Sequence, residues 1–338
     1  MAGIRDVARR AGVSPTTVSR FLNEDVKLSI TNETKKRIEE AVKELDYKKG
    51  QSTRSRTASI AIITTVSEAE EIDDPYFRSI RLGIFEEAKK QKIAANRFFR
   101  LDSGVKLEEL EAFGCLIILG HLEESFLEEI YQHNNELLVV DDPFTSEKYD
   151  TVYSDIEGAA RQNLDRLYKN GHRRIAFIGG VHTSHRPEGV TVKDDADVRA
   201  VTYKKWMAER GLEANIVMKL GEWNTQNGMK LAEELIEEQK GDLPTAIMVA
   251  SDPMAVGVYR ALQKAEVKIP KDISLVSFDN IEVAEYLTPP LSTVELRTME
   301  LGKQAIRFAK EKIDGVRSYP IRCVIPGEII IRESEQKY

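Results

Sequence analysis

Apolar residues near the start of the chain recur at helical spacing in three short segments. The first spans residues 4–11, the second spans 15–22 and the third follows Thr31. Each segment places its apolar side chains on one face, which predicts three amphipathic helices around a small core. The positions that define these faces are Ile4, Val7, Ala8, Ala11, Val18, Phe21, Leu22, Ile38, Ala41, Val42 and Leu45.

The residues between the helices predict where each helix begins and ends. Gly12 tolerates a left-handed backbone and ends the first helix. Ser14 is a favourable N-cap, Pro15 suits the first helical position, and Thr31 can cap the third helix. Two short helices joined by a tight glycine-containing turn indicate a helix-turn-helix, whose second helix fits the major groove of DNA.

Farther along, apolar runs rich in β-branched residues alternate with amphipathic helical stretches. This alternation is typical of doubly wound parallel sheets, and the number of strands favours two lobes. The predicted strands are Ile60–Val66, Leu116–Leu119, Leu137–Val140, Ile175–Ile178, Ala246–Val249 and Ile273–Phe278. The predicted helices are Phe77–Lys90, Gly158–Asn170, Gly228–Gln239 and Pro253–Lys264. The fold class is therefore α/β, with an all-α helix-turn-helix head in front of a two-lobed body.

Polar residues follow the carboxyl ends of these strands, where ligands bind in open α/β sheets. The segments concerned are 73–76, 141–143, 179–180, 250–252 and 277–280. Carboxylates accept hydrogen bonds from sugar hydroxyls, and aromatic faces pack on sugar rings, so a polyhydroxylated ligand is expected. Each feature also has a structural interpretation. The two glycines could form a tight turn, and either aspartate, 141 or 279, could cap a helix.

Charge is distributed unevenly along the 338 residues. Residues 1–58 carry 13 Lys and Arg against 8 Asp and Glu, whereas the remainder carries 36 against 48. A basic head on an acidic body indicates a head that contacts phosphates. Cys115 and Cys323 adjoin apolar runs and predict two buried thiols in a reducing compartment. With no signal-like or membrane-spanning stretch, a cytoplasmic location is expected.

The stretch Ile4–Asn23 closely resembles the DNA-binding head of the LacI/GalR (lactose-repressor) family of bacterial transcription regulators. The shared pattern is Asp-Val-Ala, Ala-Gly-Val-Ser, Thr-Val-Ser-Arg and Asn, and it continues into Leu45-Asp46-Tyr47. The resemblance implies that Pro15, Thr16 and Arg20 read bases. Three other residues, Thr17, Ser19 and Asn23, would contact the DNA backbone or position the helix on it. With the helix-capping Ser14, the predicted DNA-binding set is Ser14, Pro15, Thr16, Thr17, Ser19, Arg20 and Asn23.

Residues 48–58 form a polar, basic segment that predicts a linker. Members of the family usually fold a hinge helix here and insert a leucine into the minor groove. This chain has no Leu, Met or Phe between Lys48 and Ala58. Arg54 and Arg56 are the candidates to enter a narrow minor groove instead.

The resemblance extends through the body, along segments 170–180, 250–257, 272–279 and 289–294. It implies the fold of periplasmic sugar-binding proteins. The effector positions that it carries over are Tyr76, Asp141, Arg199, Trp223, Ser251 and Asp279. Family members often have Asn where Ser251 stands. From the residues alone, Trp223 could equally be core packing and Arg199 a surface ion pair.

The domain boundaries predicted from these patterns follow the chain in order. Residues 1–47 form the head and 48–58 the linker. The first lobe combines 59–153 with 295–322, and the second combines 154–294 with 323–338.

The function expected is that of a dimeric repressor that binds double-stranded DNA and responds to a small sugar. Segments 71–77 and 196–199 resemble regulators of galactose and β-galactosidase genes, which favours galactose or a galactoside. A global catabolite regulator with a phosphocarrier-protein corepressor is the alternative, and a sugar-binding enzyme or an exported sugar-transport protein is disfavoured. No GxSxG, P-loop, HExxH or GxGxxG motif is present, and the five histidines lack metal-ligand spacing, so no cofactor or metal is expected.

Overall fold

The computed structural model of the chain describes residues 4–22, 28, 30–45, 58–187, 191–194 and 197–338. The chain divides into two compact units, Met1–Thr57 and Ala58–Tyr338, which we call the head and the body. Among the described residues, the structure contains no helix with the length and apolar character needed to span a membrane.

Over residues 4–22, 28 and 30–45, the head forms three helices, α1 (Ile4–Ala11), α2 (Pro15–Leu22) and α3 (Asn32–Glu44). Gly12 has a φ of +67°, and this left-handed residue turns the chain after α1, as predicted. The buried core of the head consists of predicted positions from all three helices: Val7, Ala8, Ala11, Val18, Ile38 and Ala41. An ion pair of 2.7 Å between Arg10 and Glu44 joins α1 to α3 on the surface.

The body begins with the elements of its first lobe. These are β1 (Ser59–Thr64), α4 (Glu68–Asp73), α5 (Tyr76–Gln91), β2 (Ala94–Arg100), α6 (Leu107–Leu110), β3 (Cys115–Leu119), α7 (Glu124–His133), β4 (Leu137–Val140) and β5 (Asp150–Ser154). The second lobe follows with α8 (Ile156–Lys169), β6 (Ile175–Gly180), β7 (His182–His185), β8 (Thr191–Asp194), α9 (Val198–Glu209), β9 (Val217–Gly221), α10 (Thr225–Glu238), β10 (Ala246–Val249), α11 (Asp252–Lys264), β11 (Ser274–Val276) and α12 (Val283–Tyr286). The chain continues through β12 (Thr293–Glu295), α13 (Thr298–Ile313), β13 (Arg322–Ile325) and β14 (Glu328–Ile330).

Two parallel sheets organise the body. The first has the order β13-β5-β4-β3-β1-β2 and the second the order β11-β10-β6-β9. Alternate residues of β1 and β3 belong to hydrophobic clusters on opposite faces of the first sheet. Strands covered on both faces explain the continuous apolar runs in the sequence. The described residues also form two small antiparallel pairs, β7 with β8 and β12 with β14.

The last predicted lobe boundary is wrong by three residues. Cys323, Val324 and Ile325 pair in parallel with β5, so they extend the first sheet rather than the second lobe. The chain also passes from the first lobe to the second slightly later than predicted, because strand β5 of the first lobe includes Ser154. Strand β13 is short, lies at the edge of its sheet and is only partly buried, so it lacks the long buried apolar run that marks the interior strands.

Candidate DNA-reading helix and ligand cleft

The second helix of the head begins with a well-formed cap. The Ser14 hydroxyl oxygen lies 3.0 Å from the Thr17 backbone N–H, which donates to it, and 2.8 Å from the Thr17 hydroxyl. Pro15 occupies the first helical position, where no backbone donor is needed. The apolar Val18 is fully buried against the neighbouring helices. Capping and burial together determine which side of α2 faces outward.

Only some of the predicted DNA-binding residues lie within the described structure. Ser14 and Pro15 are exposed, whereas Thr17 and Arg20 are half-buried on α2. Thr16 and Ser19 belong to the same helix, but their side chains lie outside the described structure. The remaining predicted contacts also lie outside the described residues: Asn23, Arg54 and Arg56.

The body contains a cavity of about 480 Å³ between its two lobes. Strand ends of both sheets open into it, as expected for parallel α/β sheets. All six predicted effector residues line this cavity: Tyr76, Asp141, Arg199, Trp223, Ser251 and Asp279. They are brought together from positions up to 203 residues apart in the chain.

A buried hydrogen bond links the two predicted residues of the first lobe. Tyr76 is the first residue of α5, and Asp141 follows β4 with a left-handed φ of +69°. The Tyr76 hydroxyl donates to Asp141 Oδ1 at 2.7 Å. Burial raises the pKa of Asp141 to about 6, although the charges of His121 and Arg199 and the Tyr76 hydrogen bond favour the carboxylate.

Arg199 is a buried cation rather than a surface ion pair. Its side chain donates from Nη1 to Asp197 Oδ2 at 3.1 Å, and Asp197 also caps α9 by accepting from the Arg199 backbone N–H. The guanidinium lies over Trp223 and Phe278, with centroid distances of 5.3 and 5.2 Å. Burial disfavours its charge, but Asp197, Asp279 and other neighbouring anions outweigh this effect and raise its pKa.

One donor of this cation finds no partner among the described residues. Arg199 Nε is buried and makes no hydrogen bond within the part of the chain that the structure describes. A buried guanidinium donor without a partner is costly, and a ligand oxygen would satisfy it. The arrangement therefore suits a ligand that presents hydrogen-bond acceptors beside Arg199.

Ser251 and Asp279 both contribute to the start of α11. The Ser251 hydroxyl accepts from the Met254 backbone N–H at 3.4 Å, and Asp279 accepts from that of Asp252 at 3.3 Å. Burial and the nearby charge of Asp74 raise the pKa of Asp279 well above its ordinary value. Both side chains therefore bond the first turn of α11 and also line the cavity. The interpretation of Asp279 as a helix cap and its interpretation as a ligand-site residue are compatible.

Trp223 is held at the cavity wall by its indole nitrogen and by a glycine. Nε1 donates to the Val181 carbonyl at 2.9 Å. A Cβ built on Gly180 would lie 2.2 Å from Trp223 Cε2, so only glycine leaves room for the ring. Gly179 and Gly180 are the last two residues of β6, so the prediction that they form a tight turn is wrong.

A buried ion cluster supports α4, the helix that carries the cavity residues Glu70 and Asp73. Glu71 accepts from Arg81 at 2.8 Å and from Arg100 at 2.7 Å. Arg100 also donates to the Val66 carbonyl at 2.6 Å. These bonds connect α4 to α5 and β2 and determine where the acidic wall of the cavity lies.

The sequence interpretation missed several aromatic side chains that line the cavity, and three of them form what we call the ring cluster: His121, Phe144 and His182. The two imidazole centroids are 4.2 Å apart, and Phe144 lies 5.6 Å from His182. Burial opposes protonation of His121, but Asp142, whose Oδ1 lies 3.2 Å from Nδ1, outweighs it and raises the pKa of His121. In the described residues, no group of three side chains suits a metal ion. The position of His121 two residues after the end of β3 was the available signal.

Strand β7 bridges the two lobes beside this cluster. His185 N–H donates to the His121 carbonyl at 3.1 Å, and Glu123 N–H donates to the His185 carbonyl at 3.0 Å. Arg186 also forms an ion pair with Glu123. Because β7 follows a strand of the second lobe and residues 121–123 belong to the first, these bonds cross the cleft directly.

A helix-turn-helix head and a two-lobed body with a polar, aromatic cleft are together typical of DNA-binding regulators that carry a ligand-binding domain. Residues 3–49 match the model described as bacterial regulatory proteins, lacI family. Residues 164–335 match the model described as a periplasmic binding protein-like domain. The chain is 32% identical over 345 residues to the HTH-type transcriptional repressor MelR of Bacillus subtilis (strain 168), covering 99% of this chain and 97% of that protein. The chain belongs to the LacI family.

Solved structures share the fold over nearly the full length. A transcriptional regulator CelR–cellobiose complex superposes with a TM-score of 0.70 at 24% identity, covering 99% of this chain and 100% of that one. The Lac repressor dimer bound to operator and the anti-inducer ONPF has a TM-score of 0.66 at 22% identity, with 98% of each chain covered. The family assignment confirms the predicted fold class and identifies a DNA-binding transcription regulator rather than an enzyme.

Proposed function

We propose that this protein is an operator-binding repressor whose DNA affinity is changed by galactose or a galactoside bound in the cleft of the body. The observation that carries the proposal is that six predicted effector residues from both lobes line one cavity. A ligand there contacts both lobes at once, so it can favour one arrangement of the lobes over another.

The chemistry of the cavity supports a sugar. Asp141 and Asp279 offer acceptors for hydroxyl hydrogens, and the unpartnered Arg199 Nε offers a donor. The face of Trp223 can pack against the C–H groups of a sugar ring. The cellobiose in the structurally similar CelR complex supports the same ligand class. The galactosyl identity depends on the sequence resemblance around 71–77 and 196–199.

In the head, we propose that Pro15, Thr16 and Arg20 read bases and that the other predicted residues of α2 contact the backbone. A homodimer formed through the body would present two heads to an operator with two half-sites, about 34 Å or a multiple of that distance apart. The sugar then acts by linkage: a coupling of about 1–3 kcal/mol changes operator affinity about 5- to 150-fold.

The experiment selects DNA ligands for the full-length protein from a random pool and titrates the enriched sequence with and without sugars. We expect a two-fold symmetric sequence bound with a dissociation constant of about 10⁻⁸–10⁻¹¹ M. Galactose or a galactoside should weaken this binding, whereas ribose should not.

Two variants separate the parts of the proposal. Arg20→Ala should weaken DNA binding and leave sugar affinity unchanged, whereas Arg199→Ala should abolish the sugar response and leave DNA binding intact. Operator affinity that no sugar alters would refute the sugar-responsive mechanism. A response to another sugar but not to galactosides would refute only the galactosyl assignment.

A further inference from the structure

Burial divides the cavity lining into two sets. The inner set consists of five predicted effector residues that are each 4–9% exposed: Tyr76, Asp141, Arg199, Ser251 and Asp279. The ring cluster is more accessible: Phe144 is 57% exposed, and both imidazoles are half-buried. The inner set has the charged groups that orient a polar ligand, and it leaves the ring cluster without an assigned role.

Phe144 is held at the cavity in an accessible position. Asp142 Oδ1 accepts from the backbone N–H groups of Phe144 and Thr145 at 2.9 and 3.2 Å. This turn fixes the backbone beside the cavity while the aromatic side chain remains largely exposed. A large exposed aromatic ring on a cavity wall leaves a face on which a ligand can stack.

The cavity of about 480 Å³ is lined by the inner set and by the ring cluster, so it extends beyond the residues that would orient a first sugar ring. A ligand held only by the inner set would leave the rest of the cavity to solvent.

We propose that the effector is a saccharide of at least two rings and that the ring cluster is the subsite for its second ring. This inference rests on the proposed function of the cleft as a sugar site. The inner set would orient the first ring. Phe144 and His182 would then pack against the C–H groups of the second ring.

The subsite is assembled from both lobes. His121 and Phe144 follow strands β3 and β4 of the first lobe, whereas His182 begins β7 after a strand of the second. The backbone bonds between His185 and residues 121 and 123 hold the two parts together. The second ring therefore favours this arrangement of the lobes. A disaccharide should change operator affinity more than its component hexose does.

The test measures binding of matched saccharides to the full-length protein by titration calorimetry. The pairs are galactose with lactose, galactobiose and melibiose, and glucose with cellobiose and maltose. We expect at least one disaccharide to bind tenfold or more tightly than its component hexose. Phe144→Ala and His182→Ala should each reduce this affinity ratio about three- to tenfold. His182→Phe, which keeps a ring, should preserve most of it.

Tyr319→Ala provides the control, because Tyr319 is an exposed aromatic residue outside the cavity lining. It should leave the ratio of disaccharide to hexose affinity unchanged. Disaccharides that bind no more tightly than the hexose would overturn the second-ring subsite and leave the sugar-regulator proposal standing. A ratio that Phe144→Ala and His182→Ala do not alter would do the same. Failure of every saccharide to bind would overturn both.

Discussion

Gly180 offers the sharpest test of how the cleft is built. It ends β6 and pairs with Gly221, and its φ lies outside the left-handed region, so alanine fits the backbone. The added Cβ would lie 2.2 Å from Trp223 Cε2 and 2.4 Å from Nε1. Carbon atoms in contact are separated by about 3.5–4.0 Å, so the indole must move by about 1.3–1.8 Å.

That movement removes two interactions of Trp223. The hydrogen bond from Nε1 to the Val181 carbonyl is worth about 0.5–1.5 kcal/mol. The contact with the Arg199 guanidinium is worth about 0.5–2 kcal/mol. Alanine restricts the unfolded chain more than glycine does, which stabilises the folded protein by about 0.4–1 kcal/mol and offsets part of this loss. We expect Gly180→Ala to lower the free energy of unfolding by about 1–2 kcal/mol.

Urea unfolding followed by circular dichroism measures this loss, and calorimetry measures sugar affinity. Because the displaced ring alters the wall against which the ligand packs, we expect sugar binding to weaken by about tenfold, equivalent to about 1.4 kcal/mol.

A double-mutant cycle with Trp223→Ala identifies the cause. Once the indole is absent, Gly180→Ala should be neutral or slightly stabilising, because only the change in the unfolded chain remains. An equal loss of stability in the wild-type and Trp223→Ala backgrounds would refute the steric argument.

Three further predictions concern other parts of the molecule. Asp141 keeps its proton to about pH 6 in the folded protein but only to about 4 when unfolded, so this carboxyl lowers the unfolding free energy as pH rises from 4 to 6. Asp141→Asn should flatten that part of the urea-derived stability profile by about 2–3 kcal/mol, and an unchanged slope would contradict the assignment. Ser14→Ala removes the cap from the Thr17 N–H and should destabilise the head by about 1 kcal/mol, measured by thermal unfolding of the full chain, with Ser14→Asp as the capping control. Arg100→Met leaves the buried Glu71 carboxylate with one cation fewer and should cost about 1.5–3 kcal/mol in urea, whereas a loss below 0.5 kcal/mol would show that Arg81 suffices.

Three of the strands that the sequence left unpredicted share a physical cause. Strands β2, β9 and β13 lie at sheet edges, where one side lacks a neighbouring strand and polar residues are tolerated. Their sequences therefore lack the continuous apolar character of β3 or β6. Strand β5 is interior but contains Asp150, which is fully buried and paired with Arg317 at 2.7 Å. A buried charge whose partner lies 167 residues away cannot be identified from the local pattern.

The sequence by itself determined the local structure of this protein. Helical spacing and capping residues located the three helices of the head, and apolar runs located the interior strands of the two parallel sheets except β5. Strand-end positions and the resemblance to the LacI family together indicated the six effector residues that line the cleft. These features depend on backbone geometry and on burial of neighbouring residues, both of which are encoded within a few positions.

Only the tertiary structure decided which distant residues meet. The Tyr76–Asp141 hydrogen bond joins α5 to the end of β4, and the ring cluster joins His121 to His182 across two lobes. Such contacts follow from strand order and from the packing of one lobe on the other, and no local periodicity records them. The size of the cleft and the subsite that its histidines form were therefore visible only once the chain was folded.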